Sequence, residues 1–225
     1  SIRYARNTMR EFSFDTIEDF DGHINKSIPS FNILLNLIEN ISYSFIRDNY
    51  NVYDLGCSKG SLLLNLSKDN KTNTKFVGYD ISSNLLPKKQ DKVLFEKRDI
   101  TEEDIKFVDP SLILSIFTLQ FIDYSKRKPL LNKIYKSLNK GGAFIIAEKV
   151  FVEDSYIQDI FTFALYDYKI TNFTPSEILS KQKDLRKIMF PLKEKENIKL
   201  FKEAGFKTIE PFFQSLNFKA WLCIK

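Results

Sequence analysis

Residues 51–60 read Asn-Val-Tyr-Asp-Leu-Gly-Cys-Ser-Lys-Gly, a short apolar run that ends in a turn with two glycines. The run is typical of a buried strand, and Gly56 and Gly60 flank a strand-to-helix turn in which the backbone can approach a ligand closely. Ser58 stands where a helix N-cap belongs, before the leucines of residues 62–66. The segment therefore predicts the first strand, the ligand loop and the following helix of an α/β fold.

The turn departs from two well-known phosphate-binding motifs. It matches the Gly-x-Gly-x-x-Gly fingerprint of dinucleotide-binding proteins only in part, and it lacks the Gly-Lys-Ser/Thr of a P-loop. Asp54 stands at the strand's end, where its charge would repel a pyrophosphate but attract the ammonium and sulfonium groups of S-adenosyl-L-methionine (SAM). The carboxylate of the same ligand can meet the helix N-terminus near residues 58–60. We therefore predict a SAM site at Asp54, Gly56, Cys57, Ser58 and Gly60.

Two more acidic residues at strand ends extend this site. Asp80 closes the second predicted strand, 20 residues after Gly60, the spacing at which a carboxylate commonly binds the ribose hydroxyls. Asp99 follows the third predicted strand and is placed to accept a hydrogen bond from the adenine amino group. Ile81 and Ile100 are placed to offer apolar walls to the adenine ring.

The rest of the chain alternates strands with helices. Apolar runs predict strands at 51–55, 75–80, 93–96, 112–116, 143–148, 207–211 and 218–224. We predict helices at 30–47, at 125–138, and at about 153–170 and 175–190. Ser82 and Ser83 are a helix-start signal, so another helix is expected from Ser82 onward. This order favours a Rossmann-like class I SAM-methyltransferase fold, in which helices cover both faces of a mostly parallel, seven-stranded sheet with a late antiparallel strand.

One domain over residues 1–225 is the expected organisation, because no Pro-, Gly- or Ser-rich linker interrupts the chain. We divide it into an N-terminal helical segment (1–48), a sheet core (49–150 and 196–225) and a helical insertion (151–195). No apolar run approaches the roughly 20 residues that a membrane-spanning helix needs. Residues 1–10 lack a signal-peptide pattern, so we expect a cytoplasmic protein without a membrane partner.

Composition weighs against several kinds of site. His23 is the only histidine, and Cys57 and Cys223 are the only cysteines, which is too few for a zinc site, and we expect no metal. Nothing around His23 resembles a nucleophile elbow. The formal charge of +5 would suit RNA, but the basic residues are spread along the chain and cluster only at 88–89 and 125–128. The charge therefore supports direct RNA binding only weakly.

A series of short motifs runs from residue 12 to the C-terminus. They lie at residues 12–15, 24–29, 53–58, 117–121, 133–135, 141–143, 148–149, 153–154, 204–206 and 213–218. In the same order they resemble motifs of the carboxy-S-adenosyl-L-methionine (carboxy-SAM) synthase family, and the Phe-Thr-Leu-Gln-Phe at 117–121 is the most unusual of them. Members of that family have the SAM-methyltransferase fold but convert SAM, with prephenate as carboxyl source, into carboxy-SAM for tRNA wobble-uridine modification.

The resemblance implies a set of ligand contacts, a homodimer and a late antiparallel hairpin. The implied contacts with SAM are Gly56, Cys57, Ser58, Asp80, Ile81, Asp99 and Ile100, to which the positions of Phe31 and Ile116 are added. At these last two positions the family has a tyrosine and an asparagine. Where the family pairs the extra carboxylate with an arginine, this chain has Leu200, and Lys202 or Arg186 would have to substitute.

Three functions stay open at the level of sequence. The first is a SAM-dependent methyltransferase with an unknown acceptor, which would mainly align that acceptor with the sulfonium methyl group. Its best candidate for a catalytic base is Glu148, and Tyr124 and Tyr168 are weaker candidates. The second function is a carboxy-SAM synthase with a rearranged carboxylate pocket, so the ligand is SAM or carboxy-SAM. The third is a non-catalytic SAM-binding or RNA-associated protein.

Overall fold

The structure is a computed structural model that describes residues 20–68, 70–87 and 92–225. Its helices are α1 (Phe20–Ser27), α2 (Phe31–Tyr43), α3 (Ser61–Lys68), α4 (Tyr124–Ser137), α5 (Ser155–Ile170), α6 (Pro175–Ile188) and α7 (Glu194–Ala204). Its strands are β1 (Asn51–Leu55), β2 (Lys75–Asp80), β3 (Val93–Lys97), β4 (Pro110–Ile116), β5 (Ala143–Phe151), β6 (Leu192–Lys193), β7 (Thr208–Ser215) and β8 (Phe218–Ile224). A 3-10 turn spans Leu119–Phe121.

The strands form one sheet in the order β3-β2-β1-β4-β5-β8-β7, with the two-residue β6 beside β5. The pairs from β3 to β5 are parallel, whereas β8 runs antiparallel to both β5 and β7. The predicted α/β fold with a late antiparallel strand is therefore confirmed, and β6, in the part of the chain that the structure describes, is a short strand that the sequence did not predict. The strand order reverses between β1 and β4, and ligands of open α/β sheets bind at such a switch point.

Helices cover both faces of the sheet and enclose two apolar clusters. The α2/α3 cluster contains the buried side chains Leu34 and Ile38 of α2 and Leu63 and Leu66 of α3. The α4/α7 cluster contains Leu130, Leu131 and Ile134 of α4 and Leu200 and Phe201 of α7. Because successive side chains of a strand point to opposite faces, each central strand contributes side chains to both clusters. Strands that are buried on both faces are typical of parallel sheets, and their carboxyl ends form the edge at which a ligand can bind.

Two local predictions were wrong. Residues 81–87 form turns, so the helix expected from Ser82 is absent there: the Asp80 carboxylate accepts the Ser82 N–H at 2.9 Å, and Pro87 follows closely. Ser58 is not an N-cap, because α3 begins three residues later at Ser61.

Some expectations fall outside the described residues. These are the first 19 residues of the N-terminal segment, the basic pair at 88–89 and the side chain of His23. Within the described ranges, no helix is long and apolar enough to cross a membrane.

Candidate functional site

The loop after β1 is a tight turn held by backbone hydrogen bonds. The N–H groups of Gly56 and Cys57 both donate to the Tyr79 carbonyl at the end of β2, at 2.7 and 3.0 Å. Gly56 and Gly60 have φ angles of +79° and +70°, in the left-handed region that favours glycine. A Cβ on Gly56 would overlap the side chain of Thr118, which follows β4. The loop therefore packs directly across the switch point between β1 and β4.

Ser58 contributes a hydroxyl group to this loop. Its backbone has a φ of 49°, and its N–H donates to the Asp80 carboxylate at 2.9 Å. Its hydroxyl oxygen is buried, and none of the residues that the structure describes is its hydrogen-bond partner. Buried hydroxyls are nearly always hydrogen-bonded, so this orphaned group marks a place where a bound ligand would supply the partner.

Asp54 and Asp80 place two carboxyl groups side by side at the carboxyl ends of β1 and β2. Asp54 is only 4% exposed, and burial, followed by repulsion from Asp80, raises its pKa from 3.8 to about 7. No hydrogen-bond donor or cation among the described residues offsets these effects. Asp80, by contrast, is engaged at both oxygens by the N–H groups of Ser58 and Ser82. Asp54 is thus a carboxyl group whose charge nothing among the described residues offsets, and a cationic ligand would stabilise its ionised form.

Asp99 and the two isoleucines lie along the same edge, beyond β2 and β3. The Asp99 carboxylate accepts hydrogen bonds from the N–H and hydroxyl of Thr101 at 2.8 and 2.7 Å. Burial alone would raise its pKa, but these bonds and the charge of Lys126 outweigh burial and lower it. Ile81 is exposed at the sheet edge, whereas Ile100 is buried in the α4/α7 cluster. Ile81 therefore has an open apolar surface for a ring, and Ile100 supports the edge from within.

The end of β4 supplies an apolar wall across from the glycine loop. Phe31 at the start of α2 and Phe117 after β4 have ring centroids 6.2 Å apart, and Ile116 packs with them on the α2/α3 cluster. Phe117 holds a strained φ of 57°, and its N–H donates to the Ala147 carbonyl at 2.7 Å. Leu200 is 5% exposed in the α4/α7 cluster. The position at which the resemblance implied an arginine therefore lies on the opposite face of the sheet from Phe31 and Ile116.

Glu148 belongs to a buried polar network rather than to an open pocket. It is 2% exposed, and its carboxylate accepts the Leu119 N–H at 3.0 Å. Burial raises its pKa to about 8, although Arg127 and the N–H groups of Leu119 and Gln120 oppose the rise. The side chain alternates with Lys149 and so faces the α4/α7 cluster. A general-base role for Glu148 stays a prediction, and its contacts favour positioning of the segment after β4.

Sequence reasoning missed Arg127, a buried cation whose charge acts on Glu148. The guanidinium of Arg127 donates to the carbonyls of Ile122 and Phe190 at 2.9 and 2.7 Å, and to that of Gln120 at 3.3 Å. Arg127 is fully buried although it lies in the basic run 125–128. The available signal was the apolar helical spacing around it, which placed it on the inner face of α4.

Tyr124, Tyr168 and Cys57 are the remaining candidates, and none of them has, among the described residues, the contacts of a catalytic base. Tyr124 is exposed at the start of α4, and the Tyr168 hydroxyl donates to the Asn25 carbonyl at 2.8 Å, joining α5 to α1. Cys57 is buried, and burial, followed by the charges of Asp54 and Asp80, raises the pKa of its thiol. A side chain at Gly78 would collide with its sulfur. Cys57 therefore packs the loop against β2 as a neutral thiol.

Comparison with known proteins places this geometry in context. Residues 53–144 match a family model described as a methyltransferase domain. A carboxy-S-adenosyl-L-methionine synthase of Staphylococcus epidermidis is 34% identical over 217 residues, which cover 95% of each chain. Synthases of the same name from Campylobacter jejuni and Nautilia profundicola are 32% and 33% identical, and the matches cover 99% and 96% of this chain and 97% and 94% of those proteins.

Solved structures share the fold at much lower identity. A Haemonchus contortus phosphoethanolamine N-methyltransferase 2 with bound SAM superimposes with a TM-score of 0.64 at 14% identity, covering 95% of this chain and 60% of that one. Human N-acetylserotonin methyltransferase with bound SAM gives 0.54 at 16% identity, covering 78% of this chain and 47% of that one. These structures support the SAM-methyltransferase fold of the chain.

Proposed function

The chain belongs to the carboxy-S-adenosyl-L-methionine synthase family of SAM-dependent transferases, and from that premise we propose that it converts SAM into carboxy-SAM. In that reaction prephenate loses one carboxyl group as CO2 and its ring hydroxyl as hydroxide, and the ring becomes aromatic, which leaves phenylpyruvate. The hydroxide takes one proton from the sulfonium methyl carbon to form water, and that carbon forms a bond to the CO2. The observation that carries the SAM site is Asp54, a buried carboxyl group beside Asp80 without a compensating cation among the described residues.

The carboxyl groups of Asp54 and Asp80 favour SAM over a dinucleotide as the ligand. A buried carboxylate without a partner is costly, and a neighbouring carboxylate adds to the cost. SAM offers an ammonium group and a sulfonium, and either would relieve the repulsion between Asp54 and Asp80. A dinucleotide would instead bring two phosphate charges to the same place. The electrostatics therefore support a cationic nucleoside.

The other contacts of SAM follow the carboxyl edge of the sheet. We place the methionine end over residues 56–60, where the orphaned Ser58 hydroxyl would gain a partner. Asp80 is the candidate for the ribose hydroxyls, while Asp99 and Ile81 are the candidates for adenine. The sulfonium methyl group would then face the apolar wall of Phe31, Ile116 and Phe117, which would exclude water from the reacting carbon.

Leu200 stands where the resemblance implies the arginine that pairs with the extra carboxylate, so this position supplies no cation. It packs within the α4/α7 cluster, on the other face of the sheet from the apolar wall. A cation for the extra carboxylate would have to come from another element.

Methyl transfer to an unknown acceptor is the second candidate function. The apolar residues Phe31 and Ile116 favour it, because they replace polar side chains that the family is expected to have. A methyltransferase would consume SAM without prephenate and release S-adenosylhomocysteine. Non-catalytic SAM binding, the third alternative, would leave SAM intact with either partner.

Assembly and cellular context are also proposals. An apolar stripe on α5, formed by Tyr156, Ile160, Phe163 and Ile170, is exposed at helical spacing. Stripes of this kind commonly mark interfaces, so we assign it to a second copy of the chain in a homodimer. A role in tRNA modification, and with it a cytoplasmic location, follows only if carboxy-SAM is the product. The single-domain organisation and the list of ligand contacts likewise stay predictions.

The test is the identity of the nucleoside that the purified protein carries. The protein is denatured and the released ligand is measured by mass spectrometry. Carboxy-SAM, which is heavier than SAM by one carboxyl group less one proton, supports the synthase. Recovery of S-adenosylhomocysteine with a methylated small molecule supports the methyltransferase and contradicts our proposal.

A further inference from the structure

Three cationic side chains converge beside the carboxyl end of β5. They are Lys149 on β5, Lys169 in the last turn of α5 and Arg186 on α6, and we name them the cationic cluster. Lys169 and Arg186 lie close enough to repel Lys149. The cluster thus joins three elements that are far apart in sequence.

The ammonium groups of the cluster are largely withdrawn from water. Burial, followed by repulsion from Lys169 and Arg186, lowers the pKa of Lys149 to about 8. Burial also lowers the pKa of Lys169. Among the described residues, every charged group that shifts Lys149 is a cation, and its ammonium lies 6.0 Å from the centroid of the Phe218 ring. Lys149 and Lys169 are half-buried, and a half-buried ammonium group crowded by other cations is costly unless an anion joins it.

The cluster lies near the apolar wall at the carboxyl edge of the sheet. The Phe218 ring lies 5.8 Å from that of Phe117, which in turn is next to Thr118 at the glycine loop. Lys149 therefore lies one aromatic contact beyond the apolar wall. In the strand order β3-β2-β1-β4-β5, it is on the side of β4 opposite to β1 and β2, which carry Asp54 and Asp80, and to β3, which Asp99 follows. The cluster and the acidic residues therefore lie on opposite sides of β4.

We propose that the cationic cluster binds the anionic end of the carboxyl donor, a dicarboxylate, and holds its transferable carboxyl group toward the methyl carbon of SAM. This inference rests on the proposed function. The donor gives up one carboxyl group, so it needs a second anionic group by which it is held throughout the reaction. A cluster of several cations matches a molecule with two carboxylates better than it matches a molecule with one.

The experiment removes one charge at a time from the outer part of the cluster. Lys169→Gln and Arg186→Gln are compared with Lys187→Gln, a control on the same helix whose ammonium pairs with Asp184 at 3.4 Å. Prephenate serves as the dicarboxylate probe, and its binding to protein saturated with S-adenosylhomocysteine is measured by calorimetry. We expect about ten- to hundred-fold weaker prephenate binding in the two cluster variants, because each loses a charged hydrogen bond. The control and the affinity of all variants for SAM should match the wild type.

Each other outcome has a distinct meaning. Prephenate binding that is equal in all four proteins, or absent in the wild type, overturns the assignment of the cluster. A loss of carboxy-SAM affinity or of tRNA affinity in the cluster variants, with prephenate binding unchanged, assigns the cations to that other anion and also overturns it. If prephenate binding depends on the cluster but no carboxylated nucleoside forms, the proposed function fails while the cluster stands.

Discussion

Replacing Asp54 with asparagine should stabilise the ligand-free protein while it weakens SAM binding. Burial and Asp80 raise the pKa of Asp54 from 3.8 to about 7. A raised pKa means that the folded state holds the proton more tightly than the unfolded chain. The corresponding stability is present below pH 4 and is lost as the pH rises from about 4 to about 7.

The size of this loss follows from the pKa. A tenfold change in acid strength corresponds to about 1.4 kcal/mol, so the shift of Asp54 lowers the free energy of unfolding by on the order of 4 kcal/mol at pH 8. Asparagine does not titrate and avoids this loss. Its buried amide, however, lowers the free energy of unfolding by about 1–3 kcal/mol if it has no hydrogen-bond partner. We expect a net gain at pH 8 and none at pH 4. Urea unfolding of nucleoside-free protein measures it, with the exposed Asp167→Asn as the matched control.

The same substitution should remove the pH dependence of SAM binding. Below pH 7, wild-type Asp54 must release a proton before it can pair with the cation, so SAM affinity should fall by up to about tenfold per pH unit. The asparagine variant should bind weakly at pH 8 and show no such slope in calorimetry between pH 5.5 and 8. The reasoning is refuted if the variant is less stable than the wild type at pH 8 by as much as at pH 4, or if it binds SAM equally well.

Three further substitutions test other parts of the structure. Gly56→Ala should destabilise the protein by about 1–3 kcal/mol and lower its thermal midpoint, because alanine is strained at a φ of +79° and its Cβ overlaps Thr118; an unchanged midpoint would mean that the loop is looser than described. Arg127→Met should cost about 3 kcal/mol in urea unfolding, since three carbonyl groups lose a buried donor, and a near-neutral result would show that water replaces the guanidinium. Phe163→Glu should convert a dimer to a monomer in analytical ultracentrifugation while SAM binding persists; sedimentation identical to that of the wild type would exclude α5 as the interface.

The fold could be predicted from the sequence because its signals are local. Each apolar strand is ten residues long or shorter. The two glycines that mark the turn after β1 also lie within ten residues. Ser58 misled the prediction for a physical reason: the left-handed turn at Gly60 delays α3 by three residues, and a cap pattern does not reveal a φ angle. Pro87 and the hydrogen bond from Ser82 to Asp80 likewise prevailed over a helix-start signal.

The site could be predicted only in part. The acidic residues of the carboxyl edge follow from strand ends, because parallel strands bring those ends together. The burial of Glu148 and Arg127, and the meeting of Lys149 with Lys169 and Arg186, depend on how α4, α5 and α6 pack against the sheet. No spacing along the chain encodes that packing, so these groups became visible only in three dimensions.

The most direct test of the account is turnover by the wild-type protein supplied with SAM and prephenate. Mass spectrometry of the nucleosides should reveal carboxy-SAM that accumulates with time and requires both compounds. Recovery of unchanged SAM, or of S-adenosylhomocysteine formed equally well without prephenate, would contradict the account.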